Sequence, residues 1–319
     1  MMKNNSLAEI AAYLKGQQQL TLICHVRPDG DTLGCAFGLK ALLEQMGKEV
    51  TVLCADPVSP RYRFLSGGAA ELRGEPKGGV VCLDVAAAYM AGAYEELALQ
   101  ADAVIDHHPT NPCYGKLNYV DATAAAAGEI MVELAELLAP LTPFAAQAFY
   151  TAIATDTGCF KYGNTTARSH QAAAKLIEAG FDLQACNKWL FQTKRKAEFE
   201  LNRMAMETIR FFDDARLAAM LISLDMQEKS GAGADELEEI SSLPIQLEGV
   251  KAAATFKELH PDVYKVSVRT TGAVHGGEVC GLFGGGGHRQ AAGCTLEGRY
   301  AEVETKMMAA LQAALEKAE

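Results

Sequence analysis

The segment LTLICHVRPDGDTLGCAFGL, residues 20–39, decides the fold. Leu20 to Cys24 is a short apolar run of the kind that makes a buried parallel strand. His25, Asp29 and Asp31 follow in a turn marked by Pro28 and Gly30. From Thr32 the apolar positions Leu33, Phe37, Leu39, Leu42 and Leu43 predict a helix. One imidazole and two carboxylates therefore stand where a strand gives way to a helix, the place at which open α/β sheets hold their ligands. Taken alone, the pattern is equally that of an Asp-Gly turn beside a hydrogen-bonded histidine. It acquires meaning because similar arrangements return further along the chain.

Residues 49–54 (EVTVLC) and 79–83 (GVVCL) read as further strands, the latter ending in Asp84. A short strand over 103–105 ends in Asp106, His107 and His108, and 86–99 has helical composition. Helices are expected over 123–138, over 144–155 running up to Asp156, and over 167–179. This alternation predicts an α/β fold built on a doubly wound parallel sheet with right-handed crossovers. Helical spacing continues over 185–212, so a linking helix is placed at 191–212, after a catalytic domain at 1–190. Residues 213–319 predict a smaller α/β domain with a mixed sheet: strands over 215–224, 250–256 and 263–269, and a short helix over 235–240. A glycine-rich loop, GLFGGGGHRQAAG at 281–293, and a final helix over 299–318 complete it.

Composition narrows the function. The 319 residues are 49% hydrophobic, enough for two cores, yet no apolar run approaches the roughly 18 residues that span a bilayer. The first 16 residues read as a short amphipathic helix without a secretory core, so a cytoplasmic protein with no membrane partner is expected. Nine cysteines form no CxxC and are read as reduced thiols rather than zinc ligands. A net charge of −11 argues against an electrostatic grip on long duplex nucleic acid.

Asp29, Asp31, Asp84, Asp106 and Asp156 together with His25, His107 and His108 form a set drawn from four separated segments. Carboxylates converging in one cleft repel and raise each other's pKa values unless cations are present. Oxygen and imidazole donors without thiolate favour manganese, magnesium or iron over structural zinc. So many donors suit two ions sharing a bridging carboxylate, about 3.5–4 Å apart, the arrangement that serves phosphoryl chemistry.

HVRPDGD at 25–31, the lone Asp84, DHH at 106–108 and ATDTG at 154–158 resemble the four motifs of the DHH phosphoesterase family, and GGGGHRQAAG resembles the hallmark of its associated C-terminal domain. The resemblance covers almost the whole chain and is strongest to the bifunctional oligoribonucleases and 3′-phosphoadenosine-5′-phosphate (PAP) phosphatases. It implies that His25 and Asp29 hold one ion, that Asp31, His107 and Asp156 hold the other, and that Asp84 bridges them. It further implies that Asp106 orients a histidine and that His108 faces the phosphate or leaving group, with a structural role for His108 as the alternative. Thr32 and Cys35 stand where the family commonly has Ala and Ser, and Thr270 stands where many members have Ser.

Gly286, Gly287, His288 and Arg289 of the glycine loop, with Arg269 and Thr270 on the preceding strand, are the substrate-binding candidates. A plain hairpin is the bland alternative for the loop. The expected activity is hydrolysis of short oligonucleotides or nucleoside bisphosphates by two divalent cations, manganese first among them. A cleft between the domains would select short substrates. The alternatives are a phosphodiesterase for linear dinucleotides and a catalytically silent nucleotide sensor. The glycine loop weighs against a manganese pyrophosphatase, whose likeness to this chain stops at the first half. A homodimer stays open as the assembly.

Overall fold

The apolar run of the opening segment forms β1 (Gln19–Ile23), which lies inside a parallel sheet and is flanked by two other strands. The structure is a computed structural model that describes residues 4–233, 237, 240–272 and 274–318. With β2 (Glu49–Leu53), β3 (Gly79–Leu83), β4 (Ala103–Asp106) and β5 (Leu117–Val120), the sheet runs in the order β2-β1-β3-β4-β5, parallel throughout. The strand order reverses between β1 and β3, and such a switch point opens a crevice beyond the strands' carboxyl ends. β5 escaped the sequence reading because LNYV is four residues long, carries a buried Asn118 and shows no apolar alternation.

Side chains alternate between two cores, as the pleat requires. Ile23, Val80, Cys82 and Val104 point to one, covered by 3-10 turns over 88–94 and a single turn of helix. Leu20, Leu22, Val81, Leu83, Ala103 and Ile105 point to the other. Helices α1 (Leu7–Gly16), α2 (Gly30–Gln45), and, past the short α3 (Glu95–Ala98), α4 (Ala127–Leu138), α5 (Pro143–Asp156) and α6 (Ala167–Glu178) cover that face. The expected helix over 86–99 is thus not continuous. Gly92 breaks it at φ 59°, where a Cβ would lie 2.5 Å from Val26 Cγ1.

α2 packs directly on α5, and this contact brings Asp156, the last residue of α5, toward the crevice. Gly34 permits the approach, since a Cβ there would lie 2.4 Å from the backbone oxygen of Ala148 and 2.9 Å from Ala152 Cβ. Backbone cannot yield as a flexible side chain does. Gly34→Ala is expected to destabilise the protein by about 1–3 kcal/mol through overpacking, read from urea denaturation midpoints. An unchanged midpoint would show that the two helices separate at no cost.

The chain divides into two compact units, Met1–Thr193 and Lys194–Glu319. The helical spacing over 185–212 is broken into α7 (Leu183–Asn187), a π turn over 188–192, α8 (Lys196–Met206) and a strand, β6 (Arg210–Phe212). Thr193 and Arg195 adopt extended backbone and interrupt it. In the second unit β7 (Leu217–Ile222), β8 (Ala252–His260), β9 (Val263–Thr270), β10 (Gly286–Gly287) and β11 (Ala291–Glu297) join β6 in the order β10-β11-β9-β8-β7-β6. Only β7 and β8 run parallel, so the sheet is mixed, as the sequence predicts. Beyond α9 (Leu224–Ser230) and α10 (Gly276–Gly281), the long α11 (Tyr300–Ala318) lays Met307, Leu311 and Leu315 against Ala219, Ala254 and Val266 of the sheet. The helix expected over 235–240 falls on residues most of which lie outside the described ones. All nine cysteines are free. Among the described residues no helix is long and apolar enough to cross a membrane.

Candidate metal centre

The segments after β1, β3 and β4 and the end of α5 bring their polar residues together at the crevice. His25 is buried, with Nδ1 2.8 Å from Val26 O. That bond leaves Nε2 as the face turned to Asp29 Oδ1 at 3.5 Å and Asp84 Oδ2 at 3.6 Å. Asp29 is the N-cap of α2 and accepts from the N–H groups of Asp31 (3.0 Å) and Thr32 (3.2 Å). The helix therefore begins two residues earlier than the apolar spacing indicates.

Asp31 is fully buried and accepts from the N–H groups of Ala127 (2.7 Å) and Gly128 (2.9 Å), where α4 begins. The N-cap of α4 is Ala126, which has no side chain to offer, and the Asp31 carboxylate supplies the cap from another helix. His107 repeats the pattern of His25. Its Nδ1 is 3.2 Å from Ala124 O, and its Nε2 faces Asp84 Oδ1 (3.5 Å), Asp156 Oδ2 (3.5 Å) and Asp31 Oδ2 (3.7 Å). An imidazole fixed through one nitrogen and open at the other is the usual state of a metal-binding histidine.

Asp84 stands in the middle, just past β3. Its backbone is left-handed at φ 58°, and its Oδ1 is buried without a hydrogen-bond partner. Donor atoms of His25, Asp29 and Asp84 lie within 4.8 Å of one another, and so do those of Asp31, His107 and Asp156 and those of Asp84, His107 and His108. The first two trios gather the residues that the sequence assigns to two ligand sets, and Asp84 faces both through His25 and His107.

Electrostatics match the geometry. Burial first, then the neighbouring Asp31, raises Asp84 well above the usual carboxylate range. Burial and the nearby Asp31, Asp29 and Asp84 push Asp156 up to about 10. Burial alone would lower His25, but Asp29 and Asp84 outweigh it and hold its pKa at about 11. Carboxylates that resist ionisation, one of them with an orphaned oxygen, fit divalent cations as their missing partners.

Asp106 is fully buried and divides its oxygens. Oδ1 accepts from the His107 N–H (2.8 Å) and lies 2.8 Å from His108 Nδ1, while Oδ2 accepts from Asn111 Nδ2 (2.6 Å). The hydrogen bond to Asp106 raises the His108 pKa. With Nδ1 so engaged, Nε2 is the nitrogen that the half-exposed His108 ring keeps for another partner.

Two residues at the site escaped the sequence reading. Asn111 and Asn164 hold Asp106 and the loops around Asp156. Cys35, in the position where the family commonly has Ser, places its thiol 3.3 Å from Asp31 Oδ1. Asn111, five residues after Asp106 and next to a proline, carried a readable signal; the backbone groups of Ala124, Ala127 and Gly128 carried none.

In the second unit the candidate substrate residues gather at one end of the sheet. Arg269 pairs with Ala291 across β9 and β11, and Thr270 N–H donates to Gln290 O (3.1 Å). Thr270 Oγ1 is buried against Arg289 O (2.9 Å) and Val274 O (3.0 Å). The glycine run is a hairpin: Gly286 and Gly287 pair with Gly293 and Ala292, the His288 N–H donates to Ala291 O (2.9 Å), and the N–H groups of Gly284 and Gly285 donate back to Gly281 O (3.2 Å) and Cys280 O (3.0 Å) at the end of α10. His288 and Arg289 are exposed.

Comparison with known proteins places this architecture. Residues 19–154 match the DHH family, N-terminal domain, and residues 216–319 match the DHHA1 domain. A bifunctional oligoribonuclease and PAP phosphatase NrnA from Thermus thermophilus is 32% identical over 306 residues, covering 93% of this chain and 89% of that protein. The chain belongs to the DHH family. Another NrnA, from Bacillus subtilis, is 28% identical over 301 residues, covering 92% of this chain and 93% of that protein. In fold, an exopolyphosphatase-related protein from Bacteroides fragilis superposes with a TM-score of 0.86 at 19% identity, over 96% of this chain and 95% of that one. Within this DHH-family chain the DHH match takes in every crevice residue from His25 to His108 and ends two positions before Asp156. The DHHA1 match takes in Arg269 to Arg289.

Proposed function

We propose that the chain is a phosphoesterase that hydrolyses short oligoribonucleotides and PAP with two divalent cations, manganese first among them. The observation that carries the reading is His107 Nε2 within 3.7 Å of three carboxylates from three elements, beside the unpartnered Oδ1 of Asp84. Likeness to the NrnA proteins along nearly the whole chain supports the substrate class.

His25, Asp29 and Asp84 would hold one cation, and Asp31, His107, Asp156 and the shared Asp84 the other. Cations bound there supply Lewis acidity toward a phosphoryl oxygen and a nucleophile at neutral pH. Among the residues themselves, Asp106 holds His108 through Nδ1, which leaves Nε2 to donate a proton to the departing oxygen. Arg269, His288 and Arg289 grip a phosphate, and Thr270 with Gly286 and Gly287 shapes the hairpin that carries them. A cytoplasmic location fits reduced thiols and this substrate class.

The net charge of −11 sets an expectation on length, since each phosphate beyond the first few gains little attraction. With manganese, kcat/KM should be highest on PAP and dinucleotides and should fall as RNA lengthens toward twenty-four nucleotides, with a shallow salt dependence. Efficiency that holds or rises with length would point to a processive exonuclease. Turnover confined to linear dinucleotides would make it a dedicated dinucleotide phosphodiesterase, and no turnover of any substrate would indicate a sensor.

A further inference from the structure

The segment between β5 and α4, DATAAA at 121–126, holds none of the proposed ligands, yet two of them depend on its course. Ala124 O fixes the His107 ring at 3.2 Å, and just beyond it the Ala127 and Gly128 N–H groups hold Asp31. A displacement of this strap would turn one ligand and release another. Its alanines cannot anchor it, so the anchoring comes from outside.

Asn164 Nδ2 donates to Ala125 O at 3.1 Å, and two charged side chains supply the rest. Glu129 Oε2 accepts from the Ala125 N–H at 3.2 Å, pinning the middle of the strap. Arg168, at the start of α6, places Nη1 2.6 Å from Asp121 Oδ2 at one end of the strap and Nε 3.6 Å from Oε2 of Glu129, just beyond the other end. Glu129 is only 1% exposed and its Oε1 has no hydrogen-bond partner. A carboxylate so buried depends on the guanidinium beside it, and the planar fork of Arg is what reaches several carboxylates at once.

We propose that Arg168, acting with Glu129, is a positioning residue for the metal centre: it clamps the 121–126 strap and thereby sets His107 and Asp31 for cation binding. The inference rests on the two-cation reading above. A purely structural ion network is the competing account, and Glu133 separates the two. Arg168 also donates twice to Glu133 Oε1, from Nε at 3.0 Å and from Nη2 at 2.8 Å, but Glu133 lies one turn further along α4, past the strap, and touches neither His107 nor Asp31 through it.

The test measures manganese binding directly on the full chain, by the paramagnetic resonance signal of free manganese. Arg168→Ala should bind about tenfold more weakly, the loss typical of an outer-shell partner, while Glu133→Ala should stay within about twofold of wild type. A loss below about threefold in Arg168→Ala, or an equal loss in Glu133→Ala, would overturn the inference. Should Arg168→Ala not fold by circular dichroism, Arg168→Lys is judged by the same limits. Wild-type protein that takes up no manganese would overturn the two-cation reading and this inference with it, whereas wild-type uptake with an unaffected Arg168 variant would overturn this inference alone.

Discussion

Asp84→Asn is expected to lower kcat/KM by more than about a hundredfold while raising the melting temperature of the metal-free protein. Loss of an outer-shell partner costs a metal site about 10–100-fold, and a carboxylate shared by both ligand groups should cost more. The stabilisation has a separate origin. Asp84 is 2% exposed, its Oδ1 has no hydrogen-bond partner, and burial together with Asp31 makes its ionised form unfavourable. Without cations only His25 offsets that cost, and in part, while an amide removes the charge at nearly unchanged volume. Asn is the appropriate replacement because the backbone at 84 is left-handed, a conformation that Asn tolerates. Ala would add strain of roughly 1–2 kcal/mol and confuse the comparison. Hydrolysis of a dinucleotide with manganese and thermal melts in chelator measure the two effects. Turnover within tenfold of wild type would remove Asp84 from the centre, and a lower metal-free melting temperature would show that its buried charge is not the frustrated one.

The parallel sheet and its carboxyl-end residues were legible in the sequence because both rest on short-range patterns. Apolar runs of four or five residues ending in Asp or His repeat at β1, β3 and β4, and the switch point follows from the order of those strands. What the sequence left out depends on contacts distant along the chain. The cap of α4 comes from Asp31, 96 and 97 residues before the N–H groups it binds. Helix continuity was over-read at 86–99 and 185–212, where composition is helical but Gly92 and the extended Thr193 and Arg195 interrupt it. Arg168 and Glu129 looked like ordinary helix charges. Only the fold reveals that Glu129 is buried and that Arg168 reaches Asp121 across 47 residues.

Metal removal should reverse the way stability depends on pH. In the chelated protein Asp156 has its pKa raised to about 10, mainly by burial and then by Asp31, Asp29 and Asp84. A carboxyl raised in the folded state binds a proton on folding, so its contribution is complete below its unfolded value near 4 and is lost as pH rises toward about 10. For His25, Asp29 and Asp84 outweigh the lowering effect of burial and hold the pKa at about 11. Its contribution is complete below the unfolded value near 6.5 and fades as pH rises toward about 11. Both signs agree, and the metal-free melting temperature should fall steadily from pH 6 to 8.5. Cations demand the same groups deprotonated, so their binding strengthens with pH. At a hundredfold excess over Kd they add about 2.7 kcal/mol to stability. The manganese-loaded curve should therefore stay level or rise over the same range, and the gap between the two should widen. General repulsion in a chain of net charge −11 would lower both curves together, so the widening itself reports the site. Thermal melts at pH 6, 7.25 and 8.5, with chelator or manganese, decide it: parallel curves would mean that these buried groups are not where the cations bind.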